Sequence, residues 1–273
     1  MLCQFTVKNF KSIRDEVTFD MQAAAISEHE DRIFIDKDEE KYLPVSAIYG
    51  PNGGGKSNVL AALHTLVAKV LRPLFATEDS EEKVLLPKKI IVEPFAFSES
   101  KDEPTEFELF FRTAVSEYRY ILHVKRDIVL YERLDRVKLE TGRKAALFTR
   151  DENGIVLKGA FVKLKVSDEL SRTLTLLSYL GIAYKGNAVV KDVLSWFEYG
   201  IEFLNYGNPI QELRMAVSTS EEVKKLMLQM IQEMDLDIVD FRVEEKENER
   251  IDIFTKHCVD DVETEINLFD ESS

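Results

Sequence analysis

Eight residues, Gly50-Pro51-Asn52-Gly53-Gly54-Gly55-Lys56-Ser57, constrain this chain more than any others, because they fit the spacing G-x-x-x-x-G-K-[ST] at every fixed position. The spacing has a physical cause. A backbone that curls around a phosphate must turn its N–H groups inward, and side chains at Gly53, Gly54 or Gly55 would block that approach. A helix beginning where the loop ends aims its unpaired N–H groups and positive dipole end at the same anion. Lys56 would then bridge the β- and γ-phosphates of a nucleoside triphosphate, and the Ser57 hydroxyl would be a Mg²⁺ ligand. A glycine-rich turn without a ligand is the rival explanation, and the flanks argue against it. Leu43 to Tyr49 (LPVSAIY) is a short apolar run with β-branched residues, as expected for a strand buried on both faces. Ser57 to Leu71 sets Leu60, Leu63, Val67 and Leu71 at helical spacing and is expected to stop before Pro73. The expected class is α/β with α+β elements, a P-loop NTPase that binds ATP with Mg²⁺.

Elsewhere the period of the apolar residues changes along the chain. Two strands are expected at the start, Leu2 to Asn9 and Glu16 to Met21, followed by a charged surface loop from Ser27 to Lys41. From Lys89 to Lys165 alternation predicts a meander with strands near Ile90 to Phe97, Thr105 to Thr113, Tyr118 to Val124, Ile128 to Val137, Ala145 to Thr149 and Ile155 to Lys158. Its clearest turn is Asp151-Glu152-Asn153-Gly154, since Asn-Gly supplies the positive φ angles of a tight hairpin. From Ser167 to about Met234 helical spacing returns, through Leu170, Leu174 and Leu177, then Val190 to Phe203, then Val223, Met227, Met230 and Ile231. A hairpin, Ile238 to Glu244 with Arg250 to His257, leads into an acidic tail.

A formal charge of −14 argues against charge-driven binding to nucleic acid over the whole surface. Between Arg112 and Lys165, however, 13 Lys/Arg face 7 Asp/Glu, a net of +6 that leaves −20 for the remainder. Either a local basic face or the alternating charges of wet strand faces explains this, and the second is the simpler expectation. The N-terminus lacks a signal-peptide pattern and only Cys3 and Cys258 could pair, so a cytoplasmic protein is expected.

Other candidate residues carry less. His29, His64, His123 and His257 have no partner at metal-ligand spacing. Glu244-Glu245-Lys246 is similar to the end of a metal-dependent nuclease motif but lacks an upstream Asp in matching context, which leaves a solvated hairpin. Trp196, Phe197, Tyr199 and Phe203 share one helix and are expected to pack rather than to stack on bases.

Two segments together make a resemblance specific. Phe5-x-Val7-x-Asn9-Phe10-Lys11-Ser12-Ile13, followed some forty residues later by Ile48-Tyr49-Gly50 through Lys56-Ser57-Asn58, resembles the RecF/SMC-like branch of ABC-type ATPases. Within that branch it is most similar to the bacterial AAA-annotated, OLD-like ATP-binding proteins, several of which work in anti-phage defence. Pro94-Phe95, Glu106-Phe107-Glu108, Tyr118-Arg119-Tyr120, Ile128 to Leu134 and Leu147 to Arg150 fit the same pattern. The resemblance implies that Lys11, Ser12 and Asn58 join the loop at the nucleotide. It implies an ABC-type nucleotide-binding core with the N-terminal strand pair (1–88), an antiparallel β subdomain (89–166), a helical insertion (167–235) and the start of a C-terminal half (236–273). It further implies ATP hydrolysis by a homodimer, coupled to an effector such as a nuclease, with nucleic acid as a partner and no membrane.

One departure tempers this. The resemblance requires a Walker B strand, four apolar residues and then Asp-Glu, and a signature motif. Ile90-Ile91-Val92-Glu93 and Ile128-Val129-Leu130-Tyr131-Glu132 have the apolar run without the Asp, and Phe269-Asp270-Glu271-Ser272-Ser273 matches only the beginning of a signature. The expectation is a chain that cradles phosphates but lacks the catalytic carboxylates. A P-loop kinase of small molecules and a non-catalytic regulatory nucleotide binder are the alternatives, the kinase disfavoured by the strand pair ahead of the loop.

Overall fold

The computed structural model describes residues 1–26, 30–36, 38–75, 90–97, 99–167, 169–203, 224–226, 228–229, 238–246, 250–259 and 262–267. Two compact units divide the chain at 202/203.

In the first unit, seven antiparallel strands form one sheet. They are β1 (Leu2–Lys8), β2 (Val17–Asp20), β5 (Thr105–Arg112), β6 (Ser116–Lys125), β7 (Ile128–Lys138), β8 (Lys144–Asp151) and β9 (Gly154–Leu157), in the order β2-β1-β5-β6-β7-β8-β9. The alternation read as a meander therefore pairs each strand with the next. Asp151 pairs with Gly154 around the Asn-Gly turn, and Gly154 has φ 126°. The N-terminal pair joins the same sheet through β1 and β5, Phe5 opposite Leu109 and Val7 opposite Phe107.

One face of the sheet is buried, as the period of two dictates. Phe107, Leu109, Phe111, Tyr118, Tyr120, Leu122, Leu134 and Phe148 are essentially inaccessible. Three helices cover this face: α1 (Lys56–Phe75), α2 (Leu176–Ala183) and α3 (Ala188–Tyr199). Trp196 and Phe197 of α3 close on Phe111, with ring centroids 4.6 and 5.5 Å away, the packing role expected of them, whereas Tyr199 is 85% exposed and Phe203 lies beyond the end of the helix. At Gly181 of α2 a Cβ would lie 2.5 Å from a methyl of Leu194 and 2.7 Å from one of Leu74, so the three helices pack closely there. Asn187 caps α3 by accepting from the N–H groups of Val189 and Val190. Helix α1 is long and apolar enough to pass for a membrane span, but Ala62, Leu63, Leu66, Val67 and Val70 are buried, the pattern of a core helix.

The expected loop from Ser27 to Lys41 contains two short paired strands, β3 (Phe34–Ile35) and β4 (Lys41–Tyr42). Buried Arg112 ties this loop to the sheet, bonding Asp36 and Asp38 as well as Glu117.

Four expectations are corrected, the first being the helix expected from Ser167, since Leu170 and Leu174 precede α2, which begins at Leu176. Leu43 to Tyr49 is not a strand, and among the described strands none pairs with it; Val45 is 78% and Tyr49 90% exposed. A strand of this composition needs neighbours on both sides, and the seven-stranded sheet forms without it. Ile90 to Phe97 is likewise not a strand, because Val92 bonds the carbonyl of Arg126 and Lys11 bonds that of Glu93, contacts with turns rather than with a ladder. Finally, α1 continues past Pro73 to Phe75, since a proline in the last turn removes only one helical hydrogen bond.

The second unit holds β10 (Ile238–Lys246), β11 (Arg250–Val259) and β12 (Val262–Asn267), a three-stranded antiparallel sheet. The expected hairpin thus gains a third strand from the acidic tail. Phe241 and Ile253 are its buried centre, with Leu228 and Val243 against them. The helical residues Val223, Met227, Met230 and Ile231 lie outside the described residues.

Candidate functional site

The loop from Gly50 to Ser57 begins after exposed Tyr49 and runs into the first turn of α1. Gly53 and Gly55 adopt φ of 79° and 84°, angles that a residue with a Cβ reaches only with strain. Gly55 has a second reason to be glycine, since its Cβ would sit 2.9 Å from the Ser12 hydroxyl. Within the loop Gly54 N–H bonds the Pro51 carbonyl, and Asn58 and Val59 N–H both bond the Gly55 carbonyl. Among the described residues, the N–H groups of Gly53, Gly55, Lys56 and Ser57 have no protein acceptor. Four open donors in five residues, at the N-terminus of a 20-residue helix, are what an anion with several oxygens can satisfy.

The Lys56 ammonium folds back over the loop, donating to the carbonyls of Gly50 (2.7 Å) and Pro51 (2.8 Å). An ammonium has three donors, so two hold the loop's shape and one remains. The Ser57 hydroxyl is exposed and makes no hydrogen bond among the described residues, which leaves its lone pairs for a cation. The residues therefore fit a nucleoside triphosphate with Mg²⁺: backbone donors and an ammonium for phosphate oxygens, and a hydroxyl for the metal.

The segment Asn9 to Ile13 explains itself residue by residue. Asn9 is fully buried with φ 56°. Its Nδ2 lies within hydrogen-bond distance of the carbonyls of Ser100, Glu103 and Pro104, while its Oδ1 accepts from Phe95 N–H. Phe10 and Ile13 are buried and close a two-residue turn on each other. Lys11 and Ser12 form the exposed tip, Lys11 at φ 49°. The tip is tied to the first turn of α1: Asn58 Nδ2 donates to Ser12 Oγ at 2.7 Å. The structure thus brings Lys11, Ser12, Asn58 and the loop together. The hub role of Asn9 was missed, although a short polar residue ending an alternating strand is a signal for a left-handed turn.

The two apolar–Glu stretches have other positions. Glu132 is fully buried on β7, where it accepts from the N–H groups of Leu176 (2.6 Å) and Leu177 (2.9 Å) and from the Tyr120 hydroxyl (2.9 Å). It anchors the N-terminus of α2, and burial raises its carboxyl above the ordinary range despite those bonds. Ser178 of α2 bonds the Val70 carbonyl of α1. Val70 is 14 residues beyond Lys56, about 21 Å along the helix, so Glu132 belongs to the far end of α1. Glu93 is exposed, with its carbonyl accepting from Lys11.

Many basic residues of the 112–165 stretch are engaged. Arg119 pairs with Glu108 and Arg133 with Asp135, while Arg150 donates to the carbonyls of Leu170, Ser171 and Leu174. His64 is exposed on α1, His123 lies against Tyr131, His257 is on β11, and His29 lies outside the described residues. Among the described residues no three His, Cys, Asp or Glu side chains converge as metal ligands.

Comparison with known proteins adds a family. A family model described as "AAA domain, putative AbiEii toxin, Type IV TA system" matches residues 45–273. Among curated proteins none matches the chain.

Proposed function

The chain belongs to that AAA-domain family, which makes it an ATP-binding, ATPase-like domain, and we propose that Gly50–Ser57 is the cradle for the triphosphate of ATP with Mg²⁺. The observation that carries this is the set of open donors at Gly53, Gly55, Lys56 and Ser57. In this reading those N–H groups take phosphate oxygens, and Lys56 keeps its two carbonyl bonds while donating its third N–H to a phosphate oxygen. The Ser57 hydroxyl would hold the Mg²⁺, which when bound would neutralise phosphate charge.

Hydrolysis also needs a carboxylate beside the attacking water and a signature loop from a partner. Glu132 is committed to α2, and no stretch of the sequence has four apolar residues followed by Asp-Glu. The reading therefore has the 273-residue chain bind ATP and leave it intact, with turnover reserved for an assembly that supplies those groups. The resemblance to RecF/SMC- and OLD-like ATPases supports a homodimer closed by ATP. The family's description supports a role in a toxin–antitoxin system, the resemblance to OLD-like proteins supports one in anti-phage defence, and the paired arginines of the β sheet favour a protein effector over nucleic acid as the partner.

Calorimetry with MgATP tests the cradle. Lys56→Ala should weaken binding ten- to a hundredfold, the worth of a charge-assisted contact of about 1.5–3 kcal/mol. Equal binding by the two proteins would refute it.

A further inference from the structure

We infer that a cavity in the first unit, walled by one face of α3 and by the segment that holds β3, binds a basic side chain, lysine or arginine, carried on a peptide segment of a partner protein. The cavity measures about 490 Å³, and all of its lining lies within the first unit. Asp192, Ser195, Trp196 and Tyr199 line it at the spacing i, i+3, i+4 and i+7, which sets them on one face of α3. Phe34 and Asp36 also line it. None of these residues belongs to the phosphate loop, so the inference stands apart from the nucleotide reading.

The charge, the aromatic rings and one unmet donor select the ligand together. Oδ2 of Asp192 accepts from the Tyr118 hydroxyl at 2.7 Å and lies 3.0 Å from that of Thr113, while among the described residues Oδ1 accepts no hydrogen bond. Nearby, Asp36, Asp38 and Glu117 all bond Arg112, whose carbonyl accepts from the Met1 ammonium. With Asp192, four carboxylates thus face two cations, and the surplus favours a positive ligand. The exposed Tyr199 and the half-exposed Phe34 add aromatic faces beside those carboxylates, a combination that attracts ammonium and guanidinium groups. The donor is the Trp196 indole N–H, which has no acceptor among the described residues although the side chain is 2% exposed. It lies on the ring edge nearest Gly200, another lining residue, where a Cβ would stand 2.6 Å from Cδ1, the atom bonded to Nε1. A buried donor left unmet calls for an acceptor, and a peptide carbonyl next to the basic side chain supplies one.

The chain has a single tryptophan, so one indole N–H resonance in a proton–nitrogen correlation spectrum reports on this cavity. Titrating the full chain with N-acetyl-arginine amide should shift that resonance saturably, whereas N-acetyl-norleucine amide, of similar length but uncharged, should leave it in place. Asp192→Asn should weaken the arginine probe roughly tenfold or more, the range for a lost charge-assisted hydrogen bond. Tyr199→Ala should weaken it about two- to fivefold, the range for an exposed cation–π contact, and removing so exposed a ring leaves the fold intact even where Asp192→Asn disturbs it. Methylguanidinium, which lacks the carbonyl, should bind more weakly than the arginine probe; equal binding would overturn the peptide assignment in favour of a free amine. No shift with the arginine probe, an equal shift with norleucine, or unchanged affinity in both variants would overturn the site, and none of these outcomes bears on Lys56-dependent binding of MgATP.

Discussion

The two ends of α1 are built on opposite terms. Around its C-terminal half the side chains are packed or bonded, with the buried Trp196 indole N–H as an unpartnered exception among the described residues. Phe111, Tyr118, Tyr120, Trp196 and Phe197 interlock, and the one buried carboxylate there, Glu132, accepts three hydrogen bonds. At its N-terminal end four backbone donors are open among the described residues, and the apolar run before the loop faces solvent. The same chain that satisfies a buried carboxylate leaves these groups unmet, which sets the structural core at one end and the proposed binding site at the other.

This contrast breaks first in the core. Phe111→Ala removes a fully buried ring with three aromatic neighbours and should cost about 3–5 kcal/mol in urea denaturation. A loss below about 1 kcal/mol would mean that the helices do not pack there. Glu132→Ala strands the N–H groups of Leu176 and Leu177 and the Tyr120 hydroxyl, and should cost about 3 kcal/mol. Its pH dependence has a definite sign. Burial raises the folded carboxyl above its ordinary 4.5, so the folded state holds that proton more tightly than the unfolded chain does. The stability so contributed is complete below about pH 4.5 and is lost as pH rises through the raised value. Wild type should therefore lose ground to Glu132→Gln over that window, and a gap independent of pH would show that the carboxyl is not shifted.

At the loop the effects should be smaller on stability and larger on binding. Gly55→Ala forces a Cβ into φ 84° and against Ser12, costing about 1–2 kcal/mol of stability and displacing the turn that approaches the anion. Smallest of all, Val45→Ser and Tyr49→Ser should each change stability by less than about 0.5 kcal/mol, since both side chains face water. A cost of several kcal/mol at either would mean that a partner covers that run in solution.

How much of this could be read from the sequence followed from how local each feature is. The shape of the Gly50–Ser57 loop was legible because its glycines answer to one short stretch of backbone, where Gly53 and Gly55 take positive φ. The meander was legible because alternation and the Asn153-Gly154 turn need no distant partner. Leu43 to Tyr49 was misread because composition shows only that a run suits a buried strand, while pairing depends on neighbours elsewhere. Asn9 was recognised as part of a motif without its function, since its bonds go to residues 95–104, far along the chain. Glu132 looked like a defective catalytic strand for the same reason. Its partners on α2 are set by tertiary packing.

Hydrogen exchange of the backbone amides, with and without MgATP, tests the contrast between the two ends most directly. The open N–H groups of Gly53, Gly55, Lys56 and Ser57 should exchange fast in the free protein and slow on adding MgATP, while β5 to β8 change little and Lys56→Ala shows far weaker protection. Unchanged exchange at those four amides under saturating MgATP, or protection confined to the sheet, would contradict the account.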